Sequence, residues 1–375
     1  MTRILLTGAT GLIGSAALLH GLRDAPEHRW TCLVRGDSTD VARRRLATQL
    51  AKFVSTDAAQ DAAGKVDIIA GDLGTIDTVT HPVLDECTHI LHLAADTSWW
   101  GKRNNWLVNY DGTIALARRA RQMPHLKRFL HVGTAMICGG ESPRLVQEDM
   151  FPADEAKHLV NYTTTKAATE TMLEEEFDDL PIVVARPSIV VGHTELGASP
   201  SASIFWMFRA GDHLRLVAGA RDASIDVVPI DWTAATLVGL LHRPQLQHRI
   251  YHLSAGNSKR TVWSDVEAAF ARYDGEDRTY QPFCATSDRS ALRRAFSERF
   301  GLKTPVQAAM LRAMQQYYRF CALGVVFDNQ RLLDEGFAPP PALPEYLDVC
   351  LDRPNGISIT DQFADDLGMF DRAAA

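Results

Sequence analysis

Thr7-Gly8-Ala9-Thr10-Gly11-Leu12-Ile13-Gly14 follows directly on the apolar run Ile4-Leu5-Leu6 near the start of the chain. Glycine recurs at every third position, with a short apolar strand before it and a helical pattern after it. Such a turn bends tightly, lets backbone approach a pyrophosphate, and sets the phosphates at a helix N-terminus. The strand–turn–helix context separates it from a chance glycine triplet. The expectation is a dinucleotide site in which Gly8, Thr10, Gly11, Leu12, Ile13 and Gly14 surround the phosphates.

Working outward, short apolar runs at residues 3–7, 30–34, 66–70, 89–93, 128–132 and 182–185 alternate with helical patterns at 11–23, 39–54, 105–122 and 161–178. Strands separated by helices imply right-handed crossovers and a parallel sheet covered on both faces. The fold class expected is α/β, a Rossmann-type doubly wound parallel sheet over residues 1–192. Residues 250–254 read as a further strand that returns to it. The remainder, 193–375, reads as a smaller, mainly helical substrate lobe, with helices at 201–210, 231–241 and 304–323 and a proline cluster at 339–344.

The net charge of −7 over 375 residues argues against a nucleic-acid partner, which would favour a basic face. Six scattered cysteines without a C-x-x-C pair suggest free thiols in a reducing compartment, not a zinc knuckle or redox dithiol. His89 and His92, three apart in a strand, face opposite sides, and no metal site is expected. The N-terminal residues leave no room for a signal peptide, and no apolar stretch nears the roughly 20 residues of a transmembrane span. The cytoplasm is the expected location; the sequence is silent on oligomeric state.

The second strand ends Cys32-Leu33-Val34-Arg35-Gly36. A site for NAD offers an acid at that point to the ribose hydroxyls, whereas one for NADP offers arginine to the 2′-phosphate. A guanidinium binds phosphate through two parallel hydrogen bonds, so Arg35 points to NADP(H). Arg43, Arg44 and Arg45 follow, two of them expected on a solvated helix face. Further on, Tyr162 and Lys166 form a Y-x-x-x-K pair at the start of a helix, and a spacing of four puts both on one face. An ammonium beside a phenol is expected to lower the phenol's pKa toward the range of useful acid–base work.

The glycine spacing resembles that of the extended branch of the short-chain dehydrogenase/reductase superfamily. Asp72-Leu73 after the third strand resembles its adenine-contacting D-L, His92-Leu93-Ala94-Ala95 its H-x-A-A, and Asn109-Tyr110-Asp111-Gly112-Thr113 its N-x-x-G-T. The resemblance implies Thr134 as catalytic hydroxyl beside Tyr162 and Lys166, with Lys166 also bonding the nicotinamide ribose. It further implies Asp72, Leu73, Ala94, Ala95 and Asn109 around the cofactor. Trp99, Trp100 and Trp106 are expected to pack rather than line a pocket, and Cys138 to be a core thiol.

Several stretches resemble a narrower group, the thioester and fatty acyl-CoA reductases. Arg35 and Arg45-Leu46 lie in its C-L-V-R…R-L pattern. Arg186-Pro187-Ser188-Ile189-Val190-Val191-Gly192 resembles its R-P-S-I-V-x-G, placing Pro187, Ser188 and Ile189 by the cofactor. Asp226 to Asp231 resembles its D-x-V-P-V-D. Gly133 departs from the group, which has Ser there. The resemblance implies an NADPH-dependent reductase of acyl thioesters, delivered on coenzyme A or by a carrier protein, giving aldehyde or alcohol. A ketone or aldehyde reductase, a hydroxysteroid-type dehydrogenase, a sugar-nucleotide epimerase and a non-enzymatic NADP sensor are the rival readings.

Overall fold

A computed structural model of the chain describes residues 2–99, 102–151, 156–198, 204–284, 289–352 and 356–366. Its centre is a seven-stranded sheet of β1 (Arg3–Thr7), β2 (Arg29–Val34), β3 (Asp67–Ala70), β4 (His89–His92), β5 (Arg128–Val132), β6 (Ile182–Pro187) and β7 (Ile250–Leu253). The spatial order is β7-β6-β5-β4-β1-β2-β3, and every pairing is parallel. Strands buried on both faces need continuous apolar runs, and all of Ile182–Pro187 is buried. Within β1, Ile4 and Leu6 enter the core on one side and Leu5 the core on the other, as a two-residue period requires.

Register fixes where the loops emerge. Thr7 stands beside Leu33 on one side and His92 on the other. His92 pairs with His131, and Val132 with Ala185. The segments bearing Gly8, Arg35, Ala94 and Thr134 therefore leave the sheet at one edge. The strand order reverses between β1 and β4, the switch point at which such sheets hold ligands.

Helices α1 (Leu12–Asp24), α2 (Thr39–Leu50) and α3 (Thr56–Gly64) cover one face, and α4 (Gly112–Ala120) and α5 (Asn161–Glu176) the other. The single helix expected over 39–54 stops at Leu50. A second begins where the Ser55 side chain accepts a hydrogen bond from the Ala58 amide at 3.3 Å, a start signal unused in reading the sequence. The helix expected over 105–122 is three pieces, Lys102–Asn105, a π-helical turn at Trp106–Asp111, and α4. At that joint Gly112 passes Leu73 so closely that a Cβ would lie 2.8 Å from its Cδ2.

The second half supplies α6 (Phe205–Leu214), α7 (Ile230–His242), α8 (Trp263–Asp274), α9 (Arg289–Phe300), α10 (Pro305–Cys321), α11 (Leu343–Asp352) and α12 (Ile359–Asp366). Residues 201–203 of the helix expected at 201–210 lie outside the described residues. Helix α10 opens with Pro305 and a reciprocal Thr304–Gln307 cap. The sheet unit extends beyond residue 192. Ile230, Leu237, Leu240, Tyr251 and Leu253 share the core of Ile4 and Leu6, so α7 and β7 belong to the sheet. Phe205, Trp206, Phe296, Met310, Met314 and Phe363 form the separate core of the helical lobe. Two short parallel pairs, Ile189–Val190 with Val227–Val228 and Leu145–Val146 with Val326–Phe327, also escaped the sequence reading. Among the described residues no helix is long and apolar enough to cross a membrane.

Candidate active site

The glycine turn is close-packed in a way only glycine permits. Gly8 has φ +76°, and a Cβ there would lie 2.5 Å from the Leu93 carbonyl carbon. A Cβ on Gly14 would lie 2.1 Å from the Gly8 carbonyl oxygen. The Gly11 amide donates to the Gly8 carbonyl at 2.9 Å, and Ser15 Oγ to the Ala9 carbonyl at 2.9 Å. No side chain caps the first turn of α1, which holds no acid. Thr10, Leu12 and Ile13 are half-buried around it and Gly11 is exposed. A cradle closed to side chains and led by an uncapped helix start fits a pyrophosphate.

Beside it, His92 anchors the next loop. Its Nδ1 lies 2.6 Å from Thr7 Oγ1 and its Nε2 2.8 Å from Thr113 Oγ1. Thr113 donates its own proton to the Asn109 carbonyl at 2.6 Å, so Nε2 carries the ring proton and Nδ1 accepts from Thr7. Thr7 Oγ1 in turn accepts from the Ala94 amide at 3.3 Å. Burial drops the His92 pKa to about 3, keeping the ring neutral and structural. His89 instead meets Thr88 Oγ1 at 2.8 Å. Among the described residues no group of three or more His, Cys, Asp or Glu side chains is placed to hold a metal.

At the ends of β2 and β3 the contacts sort the polar residues. Arg35 and Arg45 are exposed, and among the described residues neither has an acidic partner. They lie near enough that Arg35, after burial, lowers the Arg45 pKa. Arg43 is not solvated as expected: it reaches the Ala63 and Val66 carbonyls and ties α2 to the start of β3. Arg44 is exposed. Asp72 is exposed and its Oδ1 accepts from the Gly74 amide at 2.9 Å, while Leu73 is buried.

Tyr162 and Lys166 lie one turn apart at the start of α5. Lys166 is 2% exposed, and its Nζ donates to the Val132 carbonyl at 2.7 Å. Two residues on, Thr134 Oγ1 accepts from the Met136 amide at 3.3 Å and lies 3.5 Å from the Pro187 carbonyl. The end of β5 therefore gathers Lys166 and Thr134. Burial lowers the Lys166 pKa to about 8. The phenol departs from expectation: burial, then the charge of Glu170, push the Tyr162 pKa upward. Desolvation disfavours phenolate, and the ammonium expected to stabilise it is committed to the Val132 carbonyl.

Asn109 is fully buried on the π-helical turn. Its Oδ1 accepts from the Asp96 amide at 2.7 Å, and its Nδ2 donates to the Asp96 carbonyl at 3.0 Å and to Thr165 Oγ1 at 3.1 Å. It thus clasps the loop after β4, half-buried Ala95 included, onto α5. Ser188 leaves β6 with its amide on the Leu253 carbonyl at 3.0 Å, and the Ile189 amide donates to the Asp226 carbonyl at 3.3 Å. Asp226 is structural, accepting from the Ala255 amide at 2.8 Å and the Phe327 amide at 3.3 Å.

Sequence reading missed Glu170, one turn beyond Lys166, which pairs with Arg186 at 2.7 Å with both side chains 1% exposed. The four-residue repeat 162, 166, 170 was the available signal. It also missed how Trp99 bridges to the lobe, its ring 4.1 Å from Tyr317 and 5.0 Å from Phe320 of α10. Phe320 borders a small cavity with Met136, Ile189 and Ile225, beside the loop that bears Thr134. Trp106 packs on Tyr110 at 5.3 Å, and Trp100 lies outside the described residues. Cys138 is a half-buried thiol whose pKa burial raises.

Residues 6–237 match a family model described as male sterility protein, an NAD-binding family. Fatty acyl-CoA reductase 2 of Mus musculus is 26% identical over 307 residues, covering 69% of this chain and 59% of that protein. Aldehyde reductase lnaA of Aspergillus flavus is 26% identical over 275 residues, 68% of this chain and 26% of that protein. The chain thus spans about three-fifths of the acyl-CoA reductase's length. Among solved structures, the terminal R domain of the myxalamid PKS-NRPS pathway superposes with a TM-score of 0.77 at 21% identity, covering 94% of this chain and 90% of that one.

Proposed function

Because the chain belongs to the male sterility protein family, we propose that it is an NADPH-dependent reductase of acyl thioesters, carried on coenzyme A or on a carrier protein. The product is the aldehyde or, after a second round, the alcohol. The observation that carries this reading is the meeting of Lys166 and Thr134 at the end of β5, on the same sheet edge as the glycine cradle. The names of the relatives, reductases of fatty acyl-CoA and of assembly-line products, support the thioester class.

Arg35 and Arg45 would hold the 2′-phosphate, and the uncapped first turn of α1 the pyrophosphate. When bound, the dinucleotide supplies a hydride to the carbonyl carbon. Thr134 and Tyr162 hold the carbonyl oxygen as negative charge develops there, which is where fixed donors lower a barrier most. Tyr162, kept protonated by its surroundings, gives its proton to that oxygen in the alcohol-forming round, while Lys166, held at the Val132 carbonyl, would bond the nicotinamide ribose. The second half of the chain would take the acyl chain and pantetheine arm, near the junction that Met136, Ile189 and Phe320 border.

The test follows loss of reduced nicotinamide absorbance with acyl-CoA and acyl-pantetheine donors, products being identified by mass spectrometry. Thioester-dependent oxidation with release of thiol and aldehyde is expected. Silence toward thioesters with reduction of plain ketones would transfer the chain to the ketone reductases. Tyr162→Phe separates an enzyme from a sensor: turnover should fall by about 10²–10⁴-fold while cofactor affinity stays.

A further inference from the structure

We propose that Glu170 is a positioning residue that holds Lys166 as an ammonium and Tyr162 as a phenol, biasing the site toward proton donation and so toward reduction. The inference rests on reading Tyr162 and Lys166 as the catalytic pair, but not on the thioester as substrate.

Tyr162, Lys166 and Glu170 repeat every four residues along α5 and share one face. The carboxylate is held from two sides. Arg186 on β6 donates from Nε to Oε2 at 2.8 Å and brings Nη2 to 2.7 Å. The other oxygen, Oε1, has no hydrogen-bond partner among the described residues and abuts Gly133, where a Cβ would come within 2.2 Å of it. Gly133 lies between Val132, whose carbonyl holds Lys166, and Thr134. The carboxylate is therefore pressed against the backbone that carries the ammonium and the reacting hydroxyl. Any side chain at 133 would displace it, which gives a physical reason for glycine where the resembling enzymes have serine.

The groups facing this carboxylate favour a role for its charge. From β5 comes His131, fully buried, its pKa far below the usual value and its ring neutral. From β7, His252 is likewise neutral, burial taking it to about 3. Cys138, also near Arg186, is a thiol raised by burial. Glu148 reaches Arg186 only through its backbone carbonyl at 3.3 Å, its carboxyl accepting from the His252 and Arg331 amides at 2.8 and 2.9 Å. Burial raises that carboxyl to about 7. Glu174 and Arg249 border the outer cleft that Glu170 floors, with Phe151. Arg186 offsets part of the carboxylate's charge, and what remains of it opposes the loss of the Lys166 proton and raises Tyr162.

The experiment titrates Lys166 by NMR in protein carrying ¹³C-labelled lysine, the signal being assigned by its loss in Lys166→Arg. No substrate is needed, so this result and the thioester assay fail independently. In the wild type the midpoint should lie near pH 8. In Glu170→Gln it should fall by about one pH unit, the alkaline limb of any carbonyl-reducing activity should move with it, and Glu170→Asp should recover part of the shift. Should Glu170→Gln not fold, because Arg186 is left buried without its partner, Gly133→Ala is titrated instead. It pushes Oε1 away while keeping both charges, and should shift the midpoint the same way. An unchanged midpoint in the folded variant overturns the proposal.

Discussion

Cofactor choice offers the sharpest test, because Arg35 and Arg45 are where an exposed pair of cations lacks an acidic partner among the described residues. A charge-assisted hydrogen bond contributes about 1.5–3 kcal/mol, and the exposure of both side chains sets the lower end as the working value. Replacing Arg35 by Ala should therefore weaken NADPH binding by about 1.5 kcal/mol, roughly tenfold. The double replacement should cost less than the sum, since on the proposed reading both side chains would address one phosphate and each is relieved when the other goes. A loss of roughly 50-fold follows for the pair. NADH lacks the phosphate, so its affinity should hardly move. The assay is titration of NADPH and NADH by nicotinamide fluorescence at fixed ionic strength, with no acyl substrate. Equal losses for both cofactors, or a wild type that prefers NADH, would show that the two arginines do not read a 2′-phosphate.

Three further outcomes follow from the same geometry. Gly14→Ala, whose Cβ would lie 2.1 Å from the Gly8 carbonyl oxygen, should abolish dinucleotide binding by titration while the sheet stays folded by circular dichroism; retained affinity would mean the cradle does not hold the phosphates. Trp99→Ala removes the bridge to Tyr317 and Phe320, and should raise KM for short acyl donors by about 2- to 10-fold with kcat within about twofold, as a lost aromatic contact of roughly 0.5–1.5 kcal/mol implies. Equal change for all chain lengths would count against an acyl channel there. Acid should destabilise the fold below pH 6.5: His89 and His242 are held near pKa 4 by burial, whereas the unfolded chain takes up those protons around 6.5. The unfolded state then binds more protons, so stability is intact above pH 6.5 and falls as pH drops toward 4. A melting temperature flat across that window would exclude the mechanism.

The sheet was legible because its strands are apolar runs bounded by turns, and Arg3–Thr7 and Arg128–Val132 fall where the pattern puts them. The local geometry of one-motif positions was legible too: Gly8 and Gly14 lie in a tight turn, and Tyr162 and Lys166 lie one turn apart on a helix. What was hidden depends on partners distant in sequence. Arg43 looked solvated until the Ala63 and Val66 carbonyls were placed beside it, and Asn109 gains its meaning from Asp96 and Thr165. The phenol's raised pKa was unreadable because spacing gives a helical face but not the depth at which it lies. The membership of α7 in the sheet was equally hidden, since burial against α1 leaves no mark that a helix of the lobe would lack.

The return of β7 to the sheet sets a schedule for synthesis. Until residue 253 has left the ribosome, β6 has an open side, and its apolar stretch 182–185 offers a row of unsatisfied amides and carbonyls. Unpaired strand edges of that kind recruit other chains. At about 5–20 residues per second the interval lasts on the order of several seconds, during which the nascent chain needs shielding. A fragment ending before Ile250 would keep the glycine cradle, Thr134, Tyr162 and Lys166 and yet leave that adhesive edge permanently bare.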